Sequence, residues 1–443
     1  MKISLSDHFS YRKVIRFTMP SIVMMLFTSV YSVVDGFFVS TFAGKTPFAA
    51  VNFIMPFLIM LGALGFMFGA GGSALVAKTL GEGDSHRANR IFSLVIYTSM
   101  IVGVILAVLG ILFIRPVAIW LGGEGQMLED AVVYGRIILA ALPFFMLQME
   151  FQSFFITAEK PNLGLIATVL AGVTNMVLDA VLVGVLSMGL IGAALATAFS
   201  QFIGGVIPVL YFMRPNQSLL RFTETRFEGG VLVKTCVNGS SELMSNISMS
   251  LVGMLFNLQL LKYAGEDGVA AYGVLMYVGF AFVAIFIGYS IGTAPVVGYH
   301  FGAQNHDELK SLLRKSTWII GLTSVSMVAA SFLFSAPLST LFVGYDPALL
   351  ALTKRGFWVY SFAFLFMGFS IFSSGFFTAL NDGVTSAIIS FFRTVVLQVA
   401  AVLLLPLLLG IDGIWWSIVV AEGLAVVISA AFIFGKRKKY HYM

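Results

Sequence analysis

The feature that most constrains this chain is a serial one: long apolar stretches recur along its 443 residues, at about 14–39, 51–77, 91–114, 131–157, 163–185, 190–212, 231–261, 269–297, 316–336, 351–380, 385–409 and 413–435. A helix of about 20 residues crosses the roughly 30 Å hydrocarbon core of a bilayer. Lipid offers no hydrogen bonds to the backbone, so each stretch must satisfy its own as a helix. Only short polar or Gly/Pro segments separate them, such as Gly81-Glu82-Gly83-Asp84 and Asn381-Asp382-Gly383. The expected fold is an all-α integral membrane protein with twelve transmembrane helices. Hydrophobic residues at 59%, charged residues at 11% and a mean hydropathy of +0.96 leave no segment for a soluble domain. The first stretch is too long for a signal-peptide core and is expected to remain as a span.

Basic residues set the expected orientation. With the N-terminus inside, the inner segments hold Lys2, Arg12, Lys13, Arg16, Lys78, Arg87, Arg90, Lys160, Arg214, Arg221, Arg226, Lys234, Lys310, Arg314, Lys315 and the run from Lys436 to Lys439. The outer side keeps Lys45, Arg115, Arg136, Lys262, Lys354 and Arg355. Both termini are thus expected in the cytoplasm of a multi-pass protein of the plasma (inner) membrane. The scattered basic residues form no patch for nucleic acid. Cys236 is the single cysteine, so neither an internal disulfide nor a cysteine-based metal cluster can form. No nucleophile–base set appears, and neither enzyme chemistry nor a cofactor is expected.

An internal repeat organises the spans. Thr41-Phe42-Ala43-Gly44 with Ala49-Ala50 recurs in outline as Lys262-Tyr263-Ala264-Gly265 with Ala270-Ala271. Gly71 and Gly81 return as Gly292 and Gly302, Phe155, Thr157 and Ala158 as Phe376, Thr378 and Ala379, and Gly189 and Gly192 as Gly410 and Gly413, always 221 positions on. Six spans per half is an even number, so the two six-helix bundles enter from the same side and are related by a pseudo-two-fold along the membrane normal. The expected units are an N-lobe (1–212), a cytoplasmic linker (213–230), a C-lobe (231–435) and a basic tail (436–443), acting as a monomer with a substrate cavity between the lobes.

Polar groups that break the repeat are the functional candidates, because an ionisable side chain in hydrocarbon is costly unless it faces a cavity. Asp35 in span 1, Asp179 in span 5 and Thr197 in span 6 lie at similar depth in the outer third of the first half. Tyr31 and Asn175 precede the two acids by four residues, on the same helix faces. Two carboxylates, an amide, a hydroxyl and a phenol are suited to holding a proton or coordinating Na⁺; the alternative is that the acids cap helix mouths in interfacial water. Phe256, Ala400 and Val396 stand at the equivalents of Asp35, Asp179 and Asn175, so cation chemistry is expected in one half only.

The Tyr31-Ser-Val-Val-Asp35-Gly pattern, Gly71…Gly81 and Gly292…Gly302-Ala303, Asn175-Met-Val-Leu-Asp179 with Gly192-Ala-Ala-Leu-Ala-Thr197, and Trp416…Ala421-Glu422 resemble the multidrug and toxic compound extrusion (MATE) family, in its prokaryotic DNA-damage-inducible-type and MepA-like branch. The resemblance covers nearly the whole chain. It implies a secondary antiporter that exports small organic, cationic compounds against H⁺ or Na⁺, with Asp35, Asp179, Asn175, Thr197 and Tyr31 as the N-lobe cation site. Another branch of the family uses acids in spans 7 and 10, where this chain has Ser250 and Gly368. The alternative within the same superfamily is a flippase or exporter of a lipid-linked precursor or metabolite, which should carry a central basic cluster; Arg393 is the one central candidate.

Further polar residues have two readings each. Glu422 in span 12, aligned with Gln201 across the repeat, either recognises a cationic substrate or pairs with Arg393. Arg393 is expected to be structural. Glu242 either faces an inward cavity or makes a local helix-end interaction. Glu150 is expected to be solvated near the cytoplasmic surface, and His300 to cap or border the inner end of span 8. Pro20, Pro143, Pro295 and Pro406 are the candidate hinges.

Overall fold

Five helices in this chain start where a short polar side chain accepts the free N–H groups of a first turn. Ser10 accepts from Lys13 N, Asp84 from Arg87 N, Asn305 from Glu308 N, Asp346 from Ala348 N and Asp382 from Thr385 N. The computed structural model describes residues 3–443, except for the side chains of Lys45 and Tyr277; Lys2, one of the basic residues counted above, lies outside the described residues. The helices are α1 (Tyr11–Phe38), α2 (Lys45–Gly81), α3 (Ser85–Trp120), α4 (Gly125–Thr157), α5 (Pro161–Leu178), α6 (Gly189–Met213), α7 (Gly229–Gly302), α8 (His306–Val343), α9 (Pro347–Ser361), α10 (Phe364–Ala379), α11 (Gly383–Phe391), α12 (Gln398–Leu409) and α13 (Ile411–Tyr440). Wide π-helical turns extend α1 (Val39–Ala43) and α5 (Asp179–Val185) and join α11 to α12 (Phe392–Leu397).

Three expected spans are modified. Spans 7 and 8 form one helical run of 74 residues, α7. At 1.5 Å per residue it would reach about 110 Å, so it must cross twice. The reversal is concentrated at Gly265, whose φ of 62° and ψ of −152° are open to glycine and not to an L side chain. The span expected as one helix at 351–380 is instead α9 and α10, bent by 47° at 362–363. There the ladder tightens to i→i−3 bonds, from Phe362 N to Val359 O and from Ala363 N to Tyr360 O, while Ser361 Oγ bonds back to Phe357 O.

The repeat is written in the backbone as well. Positive φ angles occur at Gly44 and Gly265, at Gly83 and Gln304, and at Gly189 and Gly410. Each half has its own core. In the first, Phe92 packs edge-on against Phe154 and Phe212 and stacks on Phe222; in the second, Tyr289, Phe364, Phe372, Phe376 and Trp415 are buried together.

The halves meet chiefly through α2 and α7, at the end of the bundle that carries both termini. A Cβ on Gly71 would lie 2.0 Å from Thr235 O, on Gly81 2.0 Å from Tyr299 O, on Gly239 1.9 Å from Met67 O, and on Gly302 2.0 Å from Lys78 O. Backbones therefore touch where any larger residue would hold them apart. The N-terminal segment straps the same end. Ser4 Oγ and Leu5 N donate to Glu159 of the first half, and Phe9 N donates to Glu308 of the second at 2.9 Å. Residues between α6 and α7 lie along α3, with Arg221 N donating to Asn89 Oδ1 at 2.7 Å and Thr223 N to Ser93 Oγ at 2.9 Å. The basic run at the C-terminus continues α13, and Lys436 and Tyr440 both bind Asp382. Burial would raise that carboxyl, but the bonds from Lys436, Tyr440 and Thr385 outweigh it and hold it below the usual range.

Two expected environments are corrected. Glu150 is not solvated: it is fully buried between α3 and α4 and accepts a short hydrogen bond from Ser99 Oγ. A depth counted from the helix end does not reveal that the side chain points into the lobe rather than toward water. His300 is 2% exposed and meets the rings of Phe9 and Tyr299 edge-on, so it belongs to the interior beneath the N-terminal strap and does not border water.

Candidate functional site

In the first half, α1, α4, α5 and α6 converge on one polar pocket. Glycine and serine set the spacing. A Cβ on Gly172 of α5 would lie 2.4 Å from the Phe27 ring and 2.9 Å from that of Tyr31, so α1 rests directly on α5. Ser200 Oγ of α6 donates to Ala171 O of α5 at 2.8 Å. Asp179 opens a π-helical turn and Asp35 lies just before another, local widenings that re-aim side chains and recur at functional positions.

The five residues expected from the sequence come together. Asp35 and Asp179 stand within electrostatic reach of one another, with Asn175 and Thr197 beside Asp35. Asn175 Nδ2 donates to Thr197 Oγ1 at 3.4 Å, and Tyr31 lies against Asp35. Asp179 is 0% exposed and Asn175 2%, so Asp179 does not cap a helix mouth in interfacial water, while Asp35 is half-buried with its Oδ1 out of solvent contact. Two residues that sequence reasoning missed complete the ring. Tyr134 of α4, 1% exposed, faces both acids and Thr197, and Gln148 of α4 approaches the Tyr31 hydroxyl. Both lie on α4, with no sequence spacing that ties them to acids carried by α1 and α5, so neither was signalled in the sequence.

The pocket has more acceptors than donors. Oδ1 of Asp35, both carboxylate oxygens of Asp179 and Oδ1 of Asn175 are buried with no hydrogen-bond partner among the described residues. Neither acid joins any of the described ion pairs. Buried oxygens without donors are costly, and a proton or a small cation is the group that satisfies them. The carboxylate, amide and hydroxyl oxygens are hard donors that fit Na⁺, and the carboxylates alone suffice for a proton. At the repeat-equivalent place the second half presents Phe256, 2% exposed and stacked on Tyr272.

The second half has a different polar centre. Glu422 of α13, 0% exposed, accepts from Arg393 Nε at 2.9 and 3.1 Å and from Gln398 Nε2 at 3.2 Å. Of the two readings of Glu422, the structure has the pair with Arg393. Glu242 of α7 lies within electrostatic reach of Arg393, and Tyr360 faces both members of the pair. Gln201 is separate: it stays in α6 with Oε1 unpartnered.

The profile of the MatE family matches residues 20–181 and again residues 243–404, once in each half. The multidrug export protein MepA of Staphylococcus haemolyticus (strain JCSC1435) is 24% identical over 432 residues, covering 97% of this chain and 94% of its own. That of Staphylococcus aureus (strain MRSA252) is 22% identical over 427 residues, covering 96% and 93%. Among solved structures, the outward-facing conformation of a multidrug resistance MATE family transporter of the MOP superfamily superposes with a TM-score of 0.91 at 23% identity, covering 97% of this chain and 96% of that one.

Proposed function

The chain belongs to the MatE family, and on that premise we propose that it is a secondary active exporter of small organic cations, driven by protons taken up at the Asp35–Asp179 pocket. The observation that carries this reading is the set of four donorless buried oxygens in the first half, against none at the equivalent apolar positions of the second. The named multidrug export relatives support efflux as the direction and varied organic compounds as the cargo. Orientation follows the basic residues, with both termini cytoplasmic and the α2–α7 contact as the cytoplasmic seal. The moving units are 1–212 and 231–435, joined by 213–230, with the 436–443 tail held to the second.

The mechanism follows from the charge in the pocket. With both acids ionised, two negative charges share a buried site and attract an organic cation into the cavity between the lobes. A proton arriving from outside is shared by the two carboxylates and cuts the charge of the pair from two to one. The cation then loses half of its counter-charge, is held less tightly and leaves. With the repulsion between the acids relieved, α1 and α5 repack, and the lobes reopen toward the cytoplasm, where the proton is released. Substrate and proton thus exclude one another, which makes the exchange obligatory. A lipid-linked pyrophosphate is a poorer cargo, since Arg393, the central cation, is already neutralised by Glu422.

The test is efflux from proteoliposomes with pH and sodium gradients imposed separately. Wild type should follow the pH gradient, and Asp35→Asn and Asp179→Asn should each lose gradient-driven efflux while still inserting and binding substrate. Full transport by both variants would remove the pocket from the mechanism.

A further inference from the structure

At the termini end, α1 and α5 diverge and leave a lateral groove of about 840 Å³. Its wall is apolar, formed by Ile15, Met19 and Val23 of α1 and Leu165 of α5. Its mouth is cationic. Arg12 and Arg16, one turn apart on the same helix face, line the entrance, are exposed, and belong to none of the described ion pairs or hydrogen bonds. Asn162 lies at the same mouth, in the first turn of α5.

The dimensions select the occupant. From Arg12 to Val23 is eleven residues, or about 16 Å of helix, close to half of the roughly 30 Å hydrocarbon core. A groove one leaflet deep, greasy along its length and doubly cationic at its rim, matches a phospholipid with an anionic headgroup. We propose that this groove is a binding site for an anionic phospholipid of the leaflet on the termini side, its phosphate held by Arg12 and Arg16 and one acyl chain lying between α1 and α5. The two helices it wedges are those that carry Asp35 and Asp179, though lipid binding does not depend on the transport reading.

The test places p-benzoylphenylalanine at Met19, and at Phe202 as a lipid-facing control, in full-length protein reconstituted with a minority of phosphatidylglycerol in phosphatidylcholine. After photolysis, the lipid adducts are identified by mass spectrometry. Juxtamembrane basic residues each attract anionic lipid several-fold, so phosphatidylglycerol should be enriched roughly tenfold at Met19 relative to the control. Arg12→Gln with Arg16→Gln should return it to the bulk proportion, and Arg12→Lys with Arg16→Lys should retain most of the enrichment. Bulk proportions at Met19 in wild type, enrichment that survives loss of both charges, or adducts to peptide in place of lipid would each overturn the proposal.

Discussion

Asp35 and Asp179 reach one pocket from separate helices because Gly172 lets α1 lie on α5 and Ser200 ties α6 to α5. Their pairing was legible in the sequence for two physical reasons: helix rise converts position into depth, and a repeat shows which polar residues are unmatched. Tyr134 and Gln148 were not legible, since their orientation is set by packing alone. If the coupling ion is a proton, only the carboxylates need titrate. Asn175→Ala and Thr197→Ala should then weaken pH-driven efflux while leaving a substantial part of it. Complete loss in Thr197→Ala, with wild-type efflux tracking sodium, would assign the site to Na⁺ instead. The second half makes a stability prediction. Arg393→Ala strands the fully buried Glu422 carboxylate, a change worth roughly 3–5 kcal/mol. Its thermal unfolding midpoint in detergent should fall clearly, whereas Arg393→Met with Glu422→Met should recover much of the loss; equal destabilisation by both would mean that the charge pair is not what matters.

At the scale of elements, the glycines that were readable are those with a backbone task. Gly44, Gly265, Gly189 and Gly410 sit at positive φ, where side chains are strained, so their spacing survives in the letters. The bend between α9 and α10 is made by i→i−3 bonds with neither glycine nor proline, and it left no trace. The near fusion of spans 7 and 8 was hidden as well, because the polar letters at 262–268 read as a loop although only Gly265 departs from helix. Close α2–α7 contact leads to a prediction. Gly81→Val pushes its new side chain against Tyr299 O and should destabilise the seal. Spin labels on the two lobes at this end should report longer distances in the variant, together with reduced net efflux; unchanged distances would show that the contact is not a gate.

For the whole molecule, twelve crossings in two parallel halves follow from hydropathy, parity and the 221-residue offset, whereas the way the halves meet does not. That depends on backbone contact at four glycines and on a strap from Ser4 to Phe9 that touches both lobes, features that no local pattern encodes. In the proposed mechanism substrate and proton compete for one charged pocket in the first half. Proton release on substrate binding tests this most directly. An organic cation added to purified protein in weakly buffered detergent solution, at a pH where the pocket holds its proton, should release close to one proton per protein, and none from Asp35→Asn or Asp179→Asn. Release from both variants equal to that of wild type, with substrate still bound, would contradict it.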